Sequence, residues 1–233
     1  MTNPSRRAVL AASGTALAGA LAGCSGGGGG GGGGSESDAV ANAPLPADTS
    51  TTYATMGSAD ADAHVTYVGN WKCPYCAQFD TGWFPEFVTD YVETAAVQLT
   101  YRALAYTPSG EPFLGEDASR AARAGLSLWD AAPESYWRFH TYVFANQPPE
   151  DETWATTDRL VSMMESAGVS ADVRSTVRAD LEGTKYSEAV RETTTFAQNN
   201  DISGTPMLVV DGDLYNPLQE EDTRAAIENA TST

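Results

Sequence analysis

Asn70-Trp71-Lys72-Cys73-Pro74-Tyr75-Cys76-Ala77-Gln78-Phe79, in one-letter form NWKCPYCAQF, sets two cysteines two residues apart. Such a pair is a redox couple, half of a metal site or a structural disulfide, and its surroundings decide among the three. Before it, residues 63–68 (AHVTYV) form a short β-rich run that ends at Gly69. After it, Phe79, Trp83, Phe87 and Tyr91 recur every four residues and predict a helix over 77–94, which Pro85 should kink or break. Residues 97–103 (VQLTYRA) alternate like a second strand. Strand, CxxC, helix and strand in that order open a thioredoxin-type βαβ unit.

The far end supplies the rest of an α/β frame. A helical face of Tyr186, Ala189, Val190, Thr193 and Ala197 leads into Ile202-Ser203-Gly204-Thr205-Pro206. Met207-Leu208-Val209-Val210, a DG turn and Leu214-Tyr215 then read as a β-hairpin, and a last helix spans about 219–230. Cys76 and Pro206 lie 130 positions apart, whereas a minimal crossover needs only about 40 residues. The surplus is helical. Ala118, Ala121, Ala122, Leu126 and Trp129 mark one helix, and Tyr136, Trp137, His140, Val143 and Phe144 a second. Leu160, Met163, Met164 and Ala167 mark a third, stopped by Gly168; Val173, Val177 and Leu181 mark a fourth, with Ser170 as N-cap.

The chain opens with a segment of another kind. Ser5-Arg6-Arg7-Ala8-Val9-Leu10 is a positively charged start, followed by an Ala/Leu/Gly run too short for a comfortable membrane span. Residues 1–23 therefore read as a signal peptide whose paired arginines resemble a twin-arginine export signal. Leu21-Ala22-Gly23-Cys24 resembles a lipobox, which makes Cys24 the expected lipidation site and the lipid bilayer an expected partner. Nine consecutive glycines, residues 26–34, and a polar stretch to Thr52 make residues 24–52 a flexible tether. The folded part is then expected over 53–230, outside the cytoplasm at the outer face of the membrane, where disulfides persist.

Asp plus Glu number 31 against 13 Lys plus Arg. That excess argues against a nucleic-acid ligand, which needs a basic patch. With only two lysines, Lys72 and Lys185, it reads as the surface of a protein from a high-salt habitat such as that of a halophilic archaeon.

The CPYC opening, the helical insertion over about 113–183, residues 136–147 (YWRFHTYVFANQ) and Gly204-Thr205-Pro206 together resemble the DsbA family of thiol-disulfide oxidoreductases. The resemblance runs from about Tyr53 to Ala230. It implies a thioredoxin-like α/β fold with an inserted helical subdomain. It implies exported proteins with cysteines as clients and a membrane redox partner that recycles the pair. No cofactor is implied, and nothing marks a dimerisation segment, so a monomer is expected.

In that fold Cys73 sits at a helix N-terminus, where free N–H groups favour its thiolate, and is expected to be the nucleophile. Cys76, one turn on, is the expected resolving cysteine, so that Cys73–Cys76 forms the redox-active disulfide. Pro74 suits the first helical position. Pro206 is, by resemblance, a cis-proline facing the pair, with Thr205, Pro74 and Tyr75 beside the client chain. Lys72 either lowers the Cys73 pKa or points into water; Trp71 either lines a peptide groove or joins the aromatic core. Tyr67 stands six residues before Cys73, where thioredoxin-like enzymes often carry a buried carboxylate. It is either core packing or a weak hydrogen-bonding substitute, and the proton route is left open. His140, on an amphipathic helix, reads as a packed core residue, and His64 as surface. With Cys24 assigned to lipid, two cysteines and two distant histidines make a poor zinc site, so no metal is expected. The competing reading from another class is a tethered peptide-binding protein or chaperone without redox turnover.

Overall fold

The computed structural model describes residues 36–232. The signal peptide over 1–23, the lipidation site Cys24 and the glycine run over 26–34 lie outside the described residues. Five strands form one sheet in the order β1-β3-β2-β4-β5: β1 (Thr55–Met56), β2 (Ala63–Gly69), β3 (Val97–Ala103), β4 (Met207–Val210) and β5 (Asp213–Tyr215). β2 and β3 run parallel with Tyr67 opposite Tyr101, and β4 is antiparallel to β2 with Leu208 opposite Tyr67. β1 pairs antiparallel with β3, and β5 with β4.

Period-2 alternation turns Val65 and Tyr67 of β2 toward a core shared with Trp71, Phe79, Phe84 and Phe139. Val68 and Val209 face the other way, onto Ala197 and Ile202. Fully burying a side chain the size of Phe stabilises by about 1.5–3 kcal/mol, so the cluster of buried rings around Tyr67 fixes the position of β2 and of the turn that follows it. The expected inserted subdomain is four helices: α4 (Ala118–Ala131), α5 (Pro133–Ala145), α6 (Thr157–Ser166) and α7 (Ala171–Glu182). The other α-helices among the described residues are α1 (Glu36–Ala41), α2 (Pro74–Asp80), α3 (Phe84–Phe87), α8 (Ser187–Asn199) and α9 (Glu220–Ala230). Ser170 caps α7 as anticipated, its hydroxyl accepting from the Val173 N–H.

One expectation needs correction. The stretch up to Thr52 is not all tether: α1 packs against α3 and α5, and Val40 and Ala43 are buried. Its few apolar residues are diluted by polar neighbours in sequence, yet they fall on one side of a short helix. The helical stretch over 77–94 is broken as Pro85 led one to expect, because a proline at 85 would clash with the carbonyl of Thr81 in a continuous helix. α2 ends at Asp80, Pro85 falls in the first turn of α3, and a π-helical turn over Val88–Val92 follows, closed by Glu93 N–H to Val88 O. Strand β1, a two-residue edge beside β3, carries too few residues for an alternation signal.

Candidate active site

The CPYC turn is built from a strand end and a helix start. Asn70, directly after β2, organises it. Its side-chain amide donates to Leu104 O at 2.9 Å and to Phe113 O at 3.2 Å, and its side-chain oxygen accepts the Lys72 N–H at 2.8 Å. The Asn70 N–H points at Cys76 Sγ, 3.4 Å away. Cys73 is the N-cap of α2 in extended conformation, and Pro74 occupies the first turn as expected. From the helical insertion, Gln147 donates to Trp71 O at 2.7 Å and to Cys73 O at 3.1 Å, pinning the turn from its far side.

Both cysteines are free thiols, and their environments differ. Cys76 is fully buried; Cys73 keeps a small exposed edge. Burial pushes the Cys76 thiol well above its ordinary range, and the hydrogen bond and charge of Cys73 push it the same way. Cys73 is lowered to about 6. The hydrogen bond from Cys76 is the largest cause; it outweighs burial, and Thr205 and the backbone N–H groups of Cys76 and Tyr75 add to it. One turn of helix thus favours the thiolate at its mouth and the protonated thiol beneath.

Thr205 and Pro206 face this pair. Their peptide bond is cis, and the Cys73 thiol lies 3.4 Å from Thr205 O. The Thr205 hydroxyl is buried without a hydrogen-bond partner of its own, beside both sulfurs, and is free to donate to whichever is ionised. A groove of about 360 Å³ runs alongside, lined by Tyr75, Ile202, Thr205, Pro206, Met207 and Leu218 among others. Tyr75 is 60% exposed, the one large apolar side chain so presented among the described residues.

Lys72 does not point into water. It is 1% exposed, and its ammonium donates to Asp117 Oδ1 at 2.6 Å and to Glu152 O at 3.0 Å. Asp117 Oδ2 accepts the Ala155 N–H at 2.8 Å, so the pair ties the CPYC turn to the start of α4 and to the loop before α6. Burial works to raise the Asp117 carboxyl, but the hydrogen bonds from Lys72 and Ala155 prevail and hold it below the usual carboxylate range. The charge of Lys72 is paired with that of Asp117.

Trp71 is core rather than groove wall. Its ring is buried against Tyr101, Phe139 and Gly125, where an added Cβ would lie 2.5 Å from the indole. Its N–H reaches His140 Nδ1 at 3.3 Å. Tyr67 donates at 2.6 Å to Asp80 Oδ2, and His140 Nε2 meets Asp80 Oδ1 at 2.6 Å. Asp80, Asn70, Gln147 and Asp117 were missed by sequence reasoning. The one available signal was the acid at Asp80, four residues after Cys76 on the inward face of the predicted helix.

Among the described residues no group of His, Cys, Asp and Glu has the arrangement to hold a metal ion, and no helix is long and apolar enough to cross a membrane.

A family model described as Thioredoxin matches residues 49–229, and the chain belongs to that family. It is 29% identical over 167 residues to a probable disulfide bond formation protein D of Bacillus cereus, covering 72% of this chain and 74% of that protein. Against disulfide bond formation protein D of Bacillus subtilis the identity is 25%, over 72% of this chain and 71% of the relative. Two solved structures share the fold. BdbD from Bacillus subtilis, in oxidised form, gives a TM-score of 0.70 at 23% identity over 78% of this chain and 94% of that one. DsbA of Chlamydia trachomatis gives 0.64 at 18% over 78% and 93%. The chain is a protein disulfide oxidoreductase with a DsbA-like thioredoxin fold.

Proposed function

We propose, with membership of this thioredoxin family as the premise, that the chain donates its Cys73–Cys76 disulfide to reduced cysteines of exported proteins. A client thiolate attacks Cys73 Sγ, the Cys73–Cys76 bond breaks, and Cys76 leaves, taking up a proton. A second client thiolate then attacks the client sulfur of the mixed disulfide and expels Cys73 as a thiolate. The client gains one disulfide, and the pair gains two electrons and stays reduced until a membrane partner reoxidises it. The observation that supports this direction is the place of Cys73 at the N-cap of α2, where the Cys76 thiol, Thr205 and backbone N–H groups lower its thiol: a low-pKa thiolate is a good leaving group and stabilises the reduced form, which favours giving the disulfide away. The groove beside Thr205 and Pro206, with Tyr75 on its rim, is where the client chain lies.

The setting belongs to the same reading. Arg6-Arg7 and Leu21-Ala22-Gly23-Cys24 support twin-arginine export and lipidation at Cys24, holding the monomer at the outer face of the membrane. The acidic composition supports a high-salt habitat.

The test is single replacement of each cysteine. Cys73→Ser should abolish oxidative refolding of a reduced client, and in Cys76→Ser the Cys73 thiolate should attack a client disulfide, release one client thiolate and accumulate as the mixed disulfide. Client binding that persists with no covalent adduct would sink the proposal in favour of a peptide-binding protein without turnover.

A further inference from the structure

Three stretches of chain line the groove beside the dithiol: Tyr75 in the first turn of α2, residues 201–207 leading into β4, and Asn216 and Leu218 in the turn between β5 and α9. The first two carry the reacting cysteine or touch it. The third is remote from the sulfurs in sequence, and it needs something to hold it in place. Within the turn, Asn216 O accepts the Gln219 N–H at 2.8 Å and Asn216 Oδ1 accepts the Leu218 N–H at 3.0 Å. From α9, the Thr223 hydroxyl donates to Asn216 O at 3.1 Å and to Gln219 O at 2.9 Å. Pro217, between the two lining residues, is buried and has no N–H of its own. Its carbonyl is met from the other side of the molecule, where the Trp83 indole N–H donates to it at 2.6 Å.

Trp83 is itself fixed. It stands in the break between α2 and α3 as the N-cap of α3 and is 8% exposed. Its ring meets Phe79 edge-on at 5.2 Å and Phe87 at 6.1 Å. The Arg224 guanidinium of α9 lies 4.8 Å from the ring centroid and is held there by Glu86, Asp90 and Glu220 at 2.7, 3.0 and 2.8 Å. An indole N–H can only donate, and a buried carbonyl left without a donor is unfavourable, so the bond selects one position for the turn.

We propose that Trp83 is a positioning residue for client binding: through the Pro217 carbonyl its indole N–H holds residues 216–218 as a preformed side of the groove, ready for an apolar segment next to the client's cysteine. This rests on the groove being where the client chain lies. Ile202, Pro206, Met207 and Leu218 offer that segment apolar surface, and the carboxylate on the lining, Asp201, favours an occupant without acidic side chains. A side that keeps its shape in the free protein removes an ordering cost from binding.

The experiment follows single-turnover transfer of the Cys73–Cys76 disulfide to a reduced dithiol peptide with apolar residues flanking its cysteines. The peptide loses two electrons and closes its own disulfide, and the protein pair becomes two thiols, counted after alkylation. Trp83→Phe keeps an aromatic ring and removes the N–H. It should raise the half-saturating peptide concentration by about three- to tenfold, the worth of one buried hydrogen bond, and leave the limiting rate in place. Trp129→Phe is the matched control: its indole N–H donates to Thr51 O at 2.9 Å from α4, away from the groove lining. It should lower the thermal midpoint as Trp83→Phe does without moving half-saturation. A Trp83→Phe protein that melts lower but saturates like the wild type, or two variants that shift half-saturation alike, overturns the proposal. Should Trp83→Phe fail to fold, Thr223→Val decides, since it frees the same turn from α9; raised half-saturation supports the proposal and an unmoved value refutes it. Reduced dithiothreitol, a dithiol with no flanking chain, separates the premises. A wild type that oxidises neither compound sinks the redox reading and this inference with it. One that oxidises both but never saturates with the peptide sinks the placement of the client in the groove. Normal saturation with an unmoved Trp83→Phe value sinks this inference alone.

Discussion

Removing Asp117 tests how the catalytic turn is held. Lys72 and Asp117 are 2.6 Å apart with side chains 2% and 1% exposed, so Asp117→Ala leaves an ammonium buried against a single carbonyl, Glu152 O. Breaking a buried pair from one side costs about 3–5 kcal/mol. For a domain of this size, with about 2–4 °C per kcal/mol, the thermal midpoint should fall by about 6–20 °C. Lys72→Met should cost a comparable amount by stranding the carboxylate. The double variant Lys72→Met/Asp117→Leu removes both charges and leaves chiefly the Ala155 N–H without its acceptor, a loss of about 1–3 kcal/mol. The two single effects should therefore overshoot the double by at least about 2 kcal/mol. Because folding lowers the Asp117 carboxyl, its contribution is present above the unfolded carboxylate range and is lost as pH falls through the folded value. Urea unfolding of the four proteins measures all of this. The same samples, reduced, report on Cys73. Since the pair is neutral as a unit, the double variant should titrate Cys73 where the wild type does, near 6. Additive single effects, or an Asp117→Ala loss below about 1 kcal/mol, would refute the buried-pair account. A raised Cys73 midpoint in the double variant would restore Lys72 as a thiolate stabiliser.

The unpartnered Thr205 hydroxyl makes Thr205→Val, which keeps the shape and removes the donor, raise the Cys73 midpoint by about half a pH unit to one unit, read as slower alkylation at neutral pH. Only the reduced protein should carry a stability slope from Cys73. With its thiol lowered to about 6, the gain is complete above the unfolded thiol value of about 8.5 and is lost as pH falls through the folded value. Thermal scans of the reduced and oxidised forms from acid to alkaline pH should converge at the acid end, and parallel curves would contradict the lowered thiol.

Much of this molecule is local in origin and could be read locally. The run over 63–68, the alternation over 97–103 and the hairpin at Met207 each report their own period, and β2, β3 and β4 follow them. Cys73, Cys76 and Pro74 were likewise legible, because a CxxC at a helix start has few other uses, whereas Thr205 and Pro206 stood out through the family resemblance, a proline at a strand start being otherwise ordinary. The break after Asp80 was half legible: Pro85 forbids a straight helix, but the resumption through a π turn depends on packing Phe84, Phe87 and Tyr91 together.

The fates of the polar residues around the cysteines depend on long-range partners. Lys72 meets Asp117 across 45 positions, Gln147 meets Cys73 across 74, and His140 meets Asp80 across 60. By itself the sequence singled out the thiols proposed to react, since a thiol's identity and its place at a helix start are local properties. Only the tertiary structure decided what surrounds them: that Lys72 is spent on Asp117, and that the carboxylate absent at Tyr67 is delivered to its hydroxyl by Asp80. Water leaves such polar groups only when a partner is brought to meet them, and that partner is chosen by the packing of the insertion against the sheet.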